Sequence, residues 1–496
     1  MGISGRNLSA RSARAASASQ SSKNQPTMEP MWREEMLETL NKKWADSLKQ
    51  KINNDPEFVV VGRWMHVRFL WELGETRMLF VVKEGKIEDI KLDEEITFND
   101  SWEFSLHGSK ESWEKFLAPY PPPMFNDIWA MVVQVEDVEL NGNRLVAMQN
   151  IRALSRLMAL TRTQEGSSVA ASEEEEQAAV EIPGSSSTKG SEKTEANIEQ
   201  IVGRYIHLHL FGEDSRIYFE EAGQGTPLIC LHTAGSDSRQ YSHIMTDPDI
   251  TSRFRVIAFD MPYHGRSNPP DGWWRTQYLL TTSRYATTII EFCRALGLEQ
   301  PILMGSSMGG AIVLEMAYRY ADEIGAVIGL ESTALAKNRF NDYTHHPKVH
   351  GGEMTATWTY GLMAPQSPER FKRETWWGYS QGAPGVYQGD TYFYSIDWDA
   401  SNRVSEIDTS KCPVFLLTGE YDFSCTPQDT ERTARSMPGA EYTLMTEIGH
   451  FPMSENPVRF KEYLMPTLEK IENHPNQVRV SGIQEDVAAR AATDAT

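Results

Sequence analysis

In the segment GSSMG, residues 305–309, Ser307 stands two positions from a glycine on each side, which is the pattern G-x-S-x-G. A short apolar stretch precedes this segment and a run of helix-forming residues follows it, so we predict a strand, a sharp turn and a helix. The two glycines let the helix approach the strand, and the turn exposes the serine hydroxyl. A hydroxyl held in this way can attack an acyl carbon once a base removes its proton. Ser307 is therefore the candidate nucleophile.

A serine nucleophile needs a histidine as its base and a carboxylate that orients the histidine. With the nucleophile on a strand-to-helix turn, the expected chain order is serine, acid, histidine. Asp422 follows the segment VFLLTGEY, and His450 follows YTLMTEIG. We therefore predict Ser307, Asp422 and His450 as a catalytic triad. Glu331 is the first alternative for the acid, and Glu420 is a weaker one.

The tetrahedral intermediate of acyl transfer needs two backbone N–H donors that face its oxyanion. We expect one donor from Met308, directly after the nucleophile. The other is expected from the loop after the segment LICLH, where Ala234 is the first choice and Thr233 the second. His232, at the start of this loop, is predicted to brace it.

Strands and helices that alternate along the chain would bring these residues together, and the sequence has this pattern from Arg204 onward. RYIHLHLFG and RIYFEEAG are typical of a hairpin. Short apolar segments predict six further strands: PLICLHTAG, RVIAFDMPYHG, PILMGSS, AVIGLES, PVFLLTGEYD and EYTLMTEIGH. Helices are predicted over 282–296 and 310–320. Such a pattern favours a largely parallel sheet with helices on both faces, and its chemistry lies in loops beyond the carboxyl ends of the strands.

The region 204–472 resembles the α/β-hydrolase superfamily. FDMPYHGRS is similar to that family's loop with the pattern D.pGhG.S, and GSSMGG, LTGEYD and IGHFPMSENP are similar to its elbow, acid strand and histidine loop. The resemblance implies an α/β-hydrolase fold with a helical cap, here about 334–410. The chain departs from the family at the loop that holds the oxyanion, because His232-Thr233 replaces the usual His-Gly. The serine nucleophile also separates it from haloalkane dehalogenases, which use an aspartate.

The predicted cap is rich in tryptophan, tyrosine and phenylalanine. An aromatic lid over the site favours a medium-sized apolar or aromatic small-molecule substrate. We expect a minority of these side chains to face it, with Met363, Trp376 and Tyr379 as the candidates.

The N-terminal unit, residues 29–162, has the pattern of a smaller α+β domain. A polar helix is expected over 33–51, and strands are expected in EFVVVGRWMHVRFLWEL, RMLFVVKEGKIEDIKL and ITFNDSWEFSLHG. The helix SKESWEKFL, with Ser109 as its N-cap, follows them, and a further strand and the helix VAMQNIRALSRLMALTR end the unit. We predict an antiparallel sheet covered by helices on one side.

This unit resembles the sterol-carrier-protein-2-like domain. The residues that carry the resemblance are a turn and a helix start: Glu84, Gly85, Lys86, Gly108, Ser109, Glu111, Trp113 and Phe116. The resemblance implies a lipid-like ligand in an apolar pocket, without catalysis. A structural or dimerisation domain is the alternative.

The composition sets the remaining boundaries and excludes several kinds of partner. Residues 163–198 read as an acidic, Ser-rich linker to the hydrolase-like domain at 199–475, and residues 476–496 as a tail. Residues 1–28 contain Arg and Lys without acids and are either a tail or a mitochondrial transit peptide. The net charge of −21 argues against nucleic acid or an anionic membrane as a partner.

The four cysteines show no metal-ligand spacing, and the chain has no nucleotide-binding glycine motif. We therefore expect no metal and no cofactor. The scattered cysteines are typical of reduced thiols, so a cytoplasmic location is expected, with a mitochondrial one as the alternative. No long apolar run predicts a membrane span. The oligomeric state is left open.

Three functions remain open. The first is a serine hydrolase that cleaves a carboxylic ester, lactone or thioester through an acyl-enzyme. The second keeps the triad but cleaves a carbon–carbon bond, as the similar meta-cleavage-product hydrolases do. Their substrates carry carboxylates, for which Arg239 and Arg266 are the candidate partners. The third is a non-catalytic lipid-binding or scaffold protein.

Overall fold

The structure, a computed structural model, describes residues 40–118, 121–162 and 198–474. The predicted terminal tails lie outside these residues, as does the predicted linker except for Ile198. The polar helix predicted over 33–51 is described only from residue 40 onward and is helical from Lys42.

The N-terminal domain is built on a five-stranded sheet of order β3-β2-β1-β4-β5. Its strands are β1 Val67–Leu73, β2 Thr76–Lys83, β3 Lys86–Leu92, β4 Phe104–Gly108 and β5 Glu139–Gly142. The hairpin of β2 and β3 turns at Glu84–Gly85 as predicted. The sheet is not purely antiparallel, however, because β1 and β4 run parallel. The segment between β3 and β4 returns to the far side of β1, which an inspection for hairpins alone does not detect.

Helices pack on this sheet: α1 Lys42–Asn54, α2 Pro56–Val61, α3 Lys110–Leu117, α4 Ile128–Gln134, α5 Arg144–Gln149 and α6 Ile151–Leu160. The prediction of Ser109 as the N-cap of α3 is confirmed, since its side chain accepts from Ser112 N. The prediction of a strand at EFVVVG is wrong, because these residues form α2. The Asp55 carboxylate accepts from Phe58 N at 2.7 Å, and proline fits the first helical position. Capping outweighs the β-propensity of three valines.

The C-terminal domain contains an eight-stranded sheet of order β13-β12-β11-β10-β8-β9-β7-β6. Its strands are β6 Val202–Leu210, β7 Glu213–Ala222, β8 Thr226–Leu231, β9 Phe254–Phe259, β10 Ile302–Ser306, β11 Ala326–Leu330, β12 Val414–Gly419 and β13 Glu441–Met445. The hairpin of β6 and β7 is antiparallel, and β7 also pairs antiparallel with β9. The strands from β8 to β13 pair in parallel. The predicted sheet is confirmed.

Helices cover both faces of this sheet: α7 Ser242–Met245, α8 Pro248–Thr251, α9 Thr282–Ala295, α10 Met308–Arg319, α14 Pro427–Arg435, α15 Pro452–Glu455 and α16 Pro457–Glu472. Successive residues of one strand pack in different apolar cores, one on each face of the sheet. Leu303 packs with Ile312 of α10, whereas its neighbour Ile302 packs with Phe460 of α16. The parallel strands are therefore buried on both faces, as their continuous apolar sequences predicted.

Between β11 and β12 lies a helical cap with α11 Gly351–Tyr360, α12 Glu369–Ser380 and α13 Val386–Tyr392. The N-terminal domain packs on this cap. Met354 of α11 joins the apolar core of that domain, and Arg152 pairs with Glu353 at 2.9 Å. In the described part of the chain, no helix combines the length and the apolar character needed to cross a bilayer.

Candidate active site

Ser307 lies at the turn between β10 and α10, with φ +55° and ψ −111°. A residue other than glycine rarely adopts a positive φ, so the surrounding structure must hold this conformation. A Cβ on Gly305 would lie 2.3 Å from Gly309 O, and one on Gly309 would lie 2.4 Å from Leu231 O. The glycines of the motif are therefore required by the close contact of α10 with two strands.

Asp422 and His450 lie side by side at the same edge of the sheet. Nδ1 of His450 is 2.8 Å from Oδ2 of Asp422, and both side chains are almost fully buried. Oδ1 of Asp422 accepts from the backbone N–H groups of Ser424 at 2.6 Å and Cys425 at 3.1 Å. Because Nδ1 faces the carboxylate, Nε2 is the ring nitrogen left to act on Ser307.

The two alternative acids occupy different positions. Glu420 accepts from Glu447 N at 3.0 Å, away from His450. Glu331 ends β11, is fully buried and accepts from Gly419 N at 2.9 Å. Burial and the neighbouring Asp422 carboxylate raise the pKa of Glu331 well above its ordinary value. Burial therefore favours the protonated form of Glu331, which lies behind Asp422.

The loop after β8 carries the candidate oxyanion donors. The N–H of Thr233 is already used, since it donates to Gln240 Oε1 at 3.0 Å. No hydrogen bond among the described residues engages the N–H of Ala234, and Met308 is the first residue of α10, whose N–H has no acceptor within the helix. This arrangement favours Ala234 over Thr233 as the partner of Met308.

His232 braces this loop, as expected. Its Nδ1 donates to Thr233 O at 2.9 Å, and its Nε2 accepts from Met261 N at 3.2 Å. Burial and the charge of the adjacent His264 lower the pKa of His232 to about 4, which agrees with a neutral ring.

Comparisons with known proteins bear on the fold of this domain. Residues 226–348 match the family model described as the alpha/beta hydrolase fold. The C-terminal domain has the α/β-hydrolase fold. The protein is an enzyme of this class, and its relatives include several kinds of hydrolase.

An uncharacterized protein of Mycobacterium tuberculosis is 24% identical over 279 residues, which are 51% of this chain and 79% of that protein. The proline iminopeptidase of Lactobacillus delbrueckii subsp. bulgaricus is 24% identical over 53% of this chain and 97% of its own length. The 2-hydroxy-6-oxo-6-phenylhexa-2,4-dienoate hydrolase of Burkholderia cepacia is 31% identical over 29% of this chain, and the match spans only 49% of that enzyme. A thermophilic esterase from Thermogutta terrifontis superposes with a TM-score of 0.45 and 20% identity, over 54% of this chain and 99% of the esterase.

The hydrolase holds Ser307 and His450 at the wall of a chamber of about 180 Å³. Four aromatic side chains of the cap line it: Trp358, Tyr379, Tyr387 and Tyr394. Phe423 and Phe451, from the loops that carry Asp422 and His450, complete the aromatic wall. The chamber is therefore enclosed mainly by apolar and aromatic surface, with Ser307 and His450 at one side.

Of the cap residues predicted to face the substrate, Tyr379 lines the chamber and its hydroxyl contacts Thr233 Oγ1. Met363 and Trp376 do not line it. Met363 packs beside Gly449, next to the base, and the Trp376 ring stacks on Arg152 of the N-terminal domain at 4.1 Å. The cap helices direct these two side chains toward the histidine loop and the N-terminal domain. The amino-acid composition of the cap does not predict these directions.

The predicted cations are also placed elsewhere. Arg239 binds Asp237 at 2.6 Å and Gln381 at 2.6 Å, and Arg266 binds Glu220 at 2.6 Å. Neither lines the chamber, because Asp237 holds the guanidinium of Arg239 and Glu220, on the strand that pairs with β9, holds that of Arg266.

Arg339 is the cation that lines the chamber, and sequence inspection missed it. Its guanidinium donates to Ser424 O at 2.6 Å and Ser424 Oγ at 3.2 Å, and it forms no ion pair with any acidic residue that the structure describes. Arg339 lies in an irregular segment between β11 and α11, where neither periodicity nor a motif marks it.

Glu455 was missed as well. Its buried carboxylate accepts from the backbone N–H groups on both sides of His450, Gly449 at 2.7 Å and Phe451 at 3.2 Å. It also accepts from Ala364 of the cap at 3.1 Å. Burial raises the pKa of Glu455 above its ordinary value. The side chain therefore fixes the histidine loop to the cap.

The cap also reaches the oxyanion loop. Asp390 of α13 accepts from Gly235 N at 2.7 Å and from Tyr278 OH at 2.8 Å. Its carboxylate also lies 2.7 Å from Nε2 of His264, whose Nδ1 lies 3.0 Å from Pro262 O. Both ring nitrogens of His264 face acceptors, so His264 is an imidazolium. Asp390 thus links the cap to the residue after Ala234.

The described residues offer one group of side chains that could in principle hold a metal ion, namely Glu331, Asp422 and His450. These are the members of the acid–base cluster itself. Because His450 pairs with Asp422 and Glu331 is held neutral by burial, the cluster is better suited to proton transfer than to a cation.

Proposed function

We propose that the protein is a serine hydrolase that cleaves a carboxylic ester, lactone or thioester of a medium-sized apolar or aromatic substrate. The observation that carries this proposal is the position of Ser307 on a strained turn in the same chamber as His450, with Asp422 at Nδ1. Six aromatic side chains around the chamber support an apolar substrate.

In the proposed reaction, Oγ of Ser307 forms a bond to the carbonyl carbon while Nε2 of His450 takes its proton. The carbonyl oxygen gains the negative charge, and the N–H groups of Met308 and Ala234 stabilise it. When the bond to the leaving group breaks, His450 returns the proton to the departing oxygen or sulfur. Water then attacks the acyl carbon and gives a proton to His450. When the bond to Oγ of Ser307 breaks, His450 returns this proton to Oγ, and the carboxylic acid leaves.

The test is labelling of the purified full chain with a fluorophosphonate, followed by peptide mass spectrometry. We expect the label on Ser307 and its loss in Ser307→Ala. Ser306→Ala is the matched control, because Ser306 precedes the nucleophile but its hydroxyl faces His450 O at 3.3 Å, not the chamber. A folded protein that takes up no label, also after mild detergent has loosened the cap, would favour the non-catalytic lipid-binding function.

The second candidate is hydrolysis of a carbon–carbon bond next to a ketone. One observation favours it, namely the guanidinium of Arg339 at the chamber, which donates to backbone and hydroxyl oxygens but has no carboxylate partner among the described residues. A substrate carboxylate could bind there. The Burkholderia cepacia relative is a hydrolase of such an acid, as its name states. Turnover of 2-hydroxy-6-oxo-6-phenylhexa-2,4-dienoate, lost in Arg339→Met while a neutral ester is still cleaved, would support it. Cleavage of the neutral ester alone would support the first candidate.

For the N-terminal domain, the resemblance to the sterol-carrier-protein-2-like domain stays a prediction. We propose a lipid-like ligand for it, which a binding assay with a fluorescent fatty acid would test.

A further inference from the structure

A short stretch of the N-terminal domain, residues 126–134, reaches the chamber of the hydrolase domain. We call this stretch, which contains α4, the α4 segment. Its Val133 lines the same cavity as Ser307 and His450. Val133 is 38% exposed, whereas most residues of the cavity wall are buried. Half-exposed Arg339 and Ser424 also line the cavity. Val133 therefore lies at the mouth of the chamber. The loop that carries Asp422, which we call the acid loop, also lines this chamber.

The same segment contacts the acid loop. Gln134 Nε2 donates to Phe423 O at 2.5 Å, directly after Asp422. On the other side of Asp422, the hydroxyl of Tyr421 donates to Pro121 O of the N-terminal domain at 3.2 Å. The catalytic acid is thus flanked by two hydrogen bonds to the N-terminal domain.

A third contact, made by Asn126, connects the α4 segment to His450. Asn126 Nδ2 donates to Gly361 O at 3.1 Å and to Met363 O at 3.3 Å. The carbonyl between them, Leu362 O, accepts from His450 N at 3.0 Å. The α4 segment therefore holds the cap residues that fix the backbone of His450.

We infer that the N-terminal domain is part of the catalytic site: the α4 segment positions the His450–Asp422 pair from both sides and, through Val133, sets the width of the chamber mouth. This inference rests on the proposed serine hydrolase and deepens it. Gln134 and Asn126 are positioning residues, and Val133 is a residue that determines specificity. Substrates with a long or branched acyl group must pass Val133, whereas short acyl groups reach Ser307 with less hindrance.

The first experiment compares Gln134→Ala with Gln149→Ala in the full chain. Gln149 is a matched control, because it also donates from the N-terminal domain to a hydrolase-domain carbonyl, Lys348 O at 3.0 Å, but far from the acid loop. For p-nitrophenyl butyrate we expect kcat to fall about tenfold in Gln134→Ala with KM unchanged. Gln149→Ala should retain both constants. As a control, thermal unfolding of both variants checks that they are folded.

A second readout needs no turnover. The Nδ1 proton of His450, shared with Asp422, gives a low-field proton resonance in NMR spectra. Gln134→Ala should shift or broaden this resonance, and Gln149→Ala should not. An equal response of the two variants, in kcat or in the resonance, would overturn the positioning role.

The role of Val133 is tested with Val133→Cys. All four native cysteines are buried, so the new thiol is the accessible one in the described residues. Methanethiosulfonates of increasing size should reduce turnover of p-nitrophenyl octanoate more than that of the acetate. Val60→Cys, on the exposed face of α2, is the control. Equal loss for both esters, or no loss, would overturn the specificity role.

The two proposals fail separately. If native Ser307 takes up no fluorophosphonate, the serine hydrolase is wrong, while the His450 resonance still decides whether the α4 segment positions the pair. If Ser307 is labelled and Gln134→Ala behaves as Gln149→Ala, the inference alone is wrong.

Discussion

The hydrolase domain contains two buried His–Asp pairs that resemble each other in distance and differ in their surroundings. His450 and Asp422 lie 2.8 Å apart, and His264 and Asp390 lie 2.7 Å apart. Nδ1 of His450 faces its aspartate and leaves Nε2 for the serine. His264 instead has an acceptor oxygen at each nitrogen. A histidine that donates from both nitrogens cannot take a proton, so the second pair is suited to holding structure and the first to moving protons.

The difference between the pairs also explains their positions. The first pair joins the loops after β12 and β13 beside Ser307. The second joins the cap to the loop after β9, and its Asp390 also accepts from Gly235 in the loop after β8. Matched substitutions in both pairs therefore separate chemistry from positioning.

The largest effect on activity is expected from substitution of the two histidines. In His450→Gln, kcat should fall by about 10⁴ or more, because no group remains to take the proton of Ser307. His264→Gln should retain far more activity and lose stability. Steady-state kinetics with p-nitrophenyl butyrate measure the first effect, and urea unfolding measures the second. Equal losses of kcat would show that the two histidines are not distinct in function.

For the two aspartates we expect the same order, with the larger loss of kcat at the residue that pairs with His450. Asp422→Asn should reduce kcat by about 10³ to 10⁴, because it favours the wrong tautomer of His450. Asp390→Asn should reduce kcat by about tenfold to a hundredfold with KM little changed, because a loosened oxyanion donor costs less than a removed one. Kinetics for both variants on one ester give the comparison. A larger loss in Asp390→Asn than in Asp422→Asn would contradict the assignment of the triad.

The second pair should also affect stability as a function of pH. Burial lowers the pKa of His264, but the Asp390 carboxylate outweighs it and raises that pKa above the ordinary value. The stabilisation is fully present below the unfolded pKa of about 6.5 and is lost as pH rises through the raised folded value. The free energy of unfolding from urea titrations should therefore fall as pH rises above about 6.5.

In Asp390→Asn the main group that opposes burial at His264 is lost, and only the Pro262 carbonyl and Asp260 remain to raise its pKa. This fall in the free energy of unfolding should therefore become smaller or reverse. A native protein and a variant with parallel pH dependences would argue that His264 is neutral in the native fold.

The smallest effect on activity is expected at Glu331. Glu331→Gln should leave kcat within about threefold, because a neutral acid is replaced by a neutral amide that still accepts from Gly419 N. The pKa of Glu331 is raised in the native protein. Above the ordinary pKa of a glutamate, the side chain therefore ionises more readily in the unfolded chain, and this lowers the stability of the native protein. The variant should therefore gain stability at neutral pH. A loss of kcat beyond about a hundredfold would instead assign Glu331 as the catalytic acid.

Much of the fold could be predicted from the sequence because it depends on neighbours along the chain. The N-cap at Ser109, the turn at Glu84–Gly85 and the glycines around Ser307 act within a few residues. The same local reasoning fails at EFVVVG, where β-branched residues predict a strand and the cap of Asp55 with Pro56 produces a helix. It also misses the parallel pairing of β1 and β4, since strand partners are not adjacent in sequence.

The sequence by itself determined the nucleophile turn, the order of Ser307, Asp422 and His450, and the parallel sheet that carries them, because a motif and the periodicity of apolar residues encode these features locally. Only the tertiary structure decided which cap residues reach the chamber, which cation stays unpaired there and which carboxylates hold the loops. Asp390 meets Gly235 and Gln134 meets Phe423 across long stretches of chain. Such contacts depend on how whole elements pack, and no spacing along the chain specifies them.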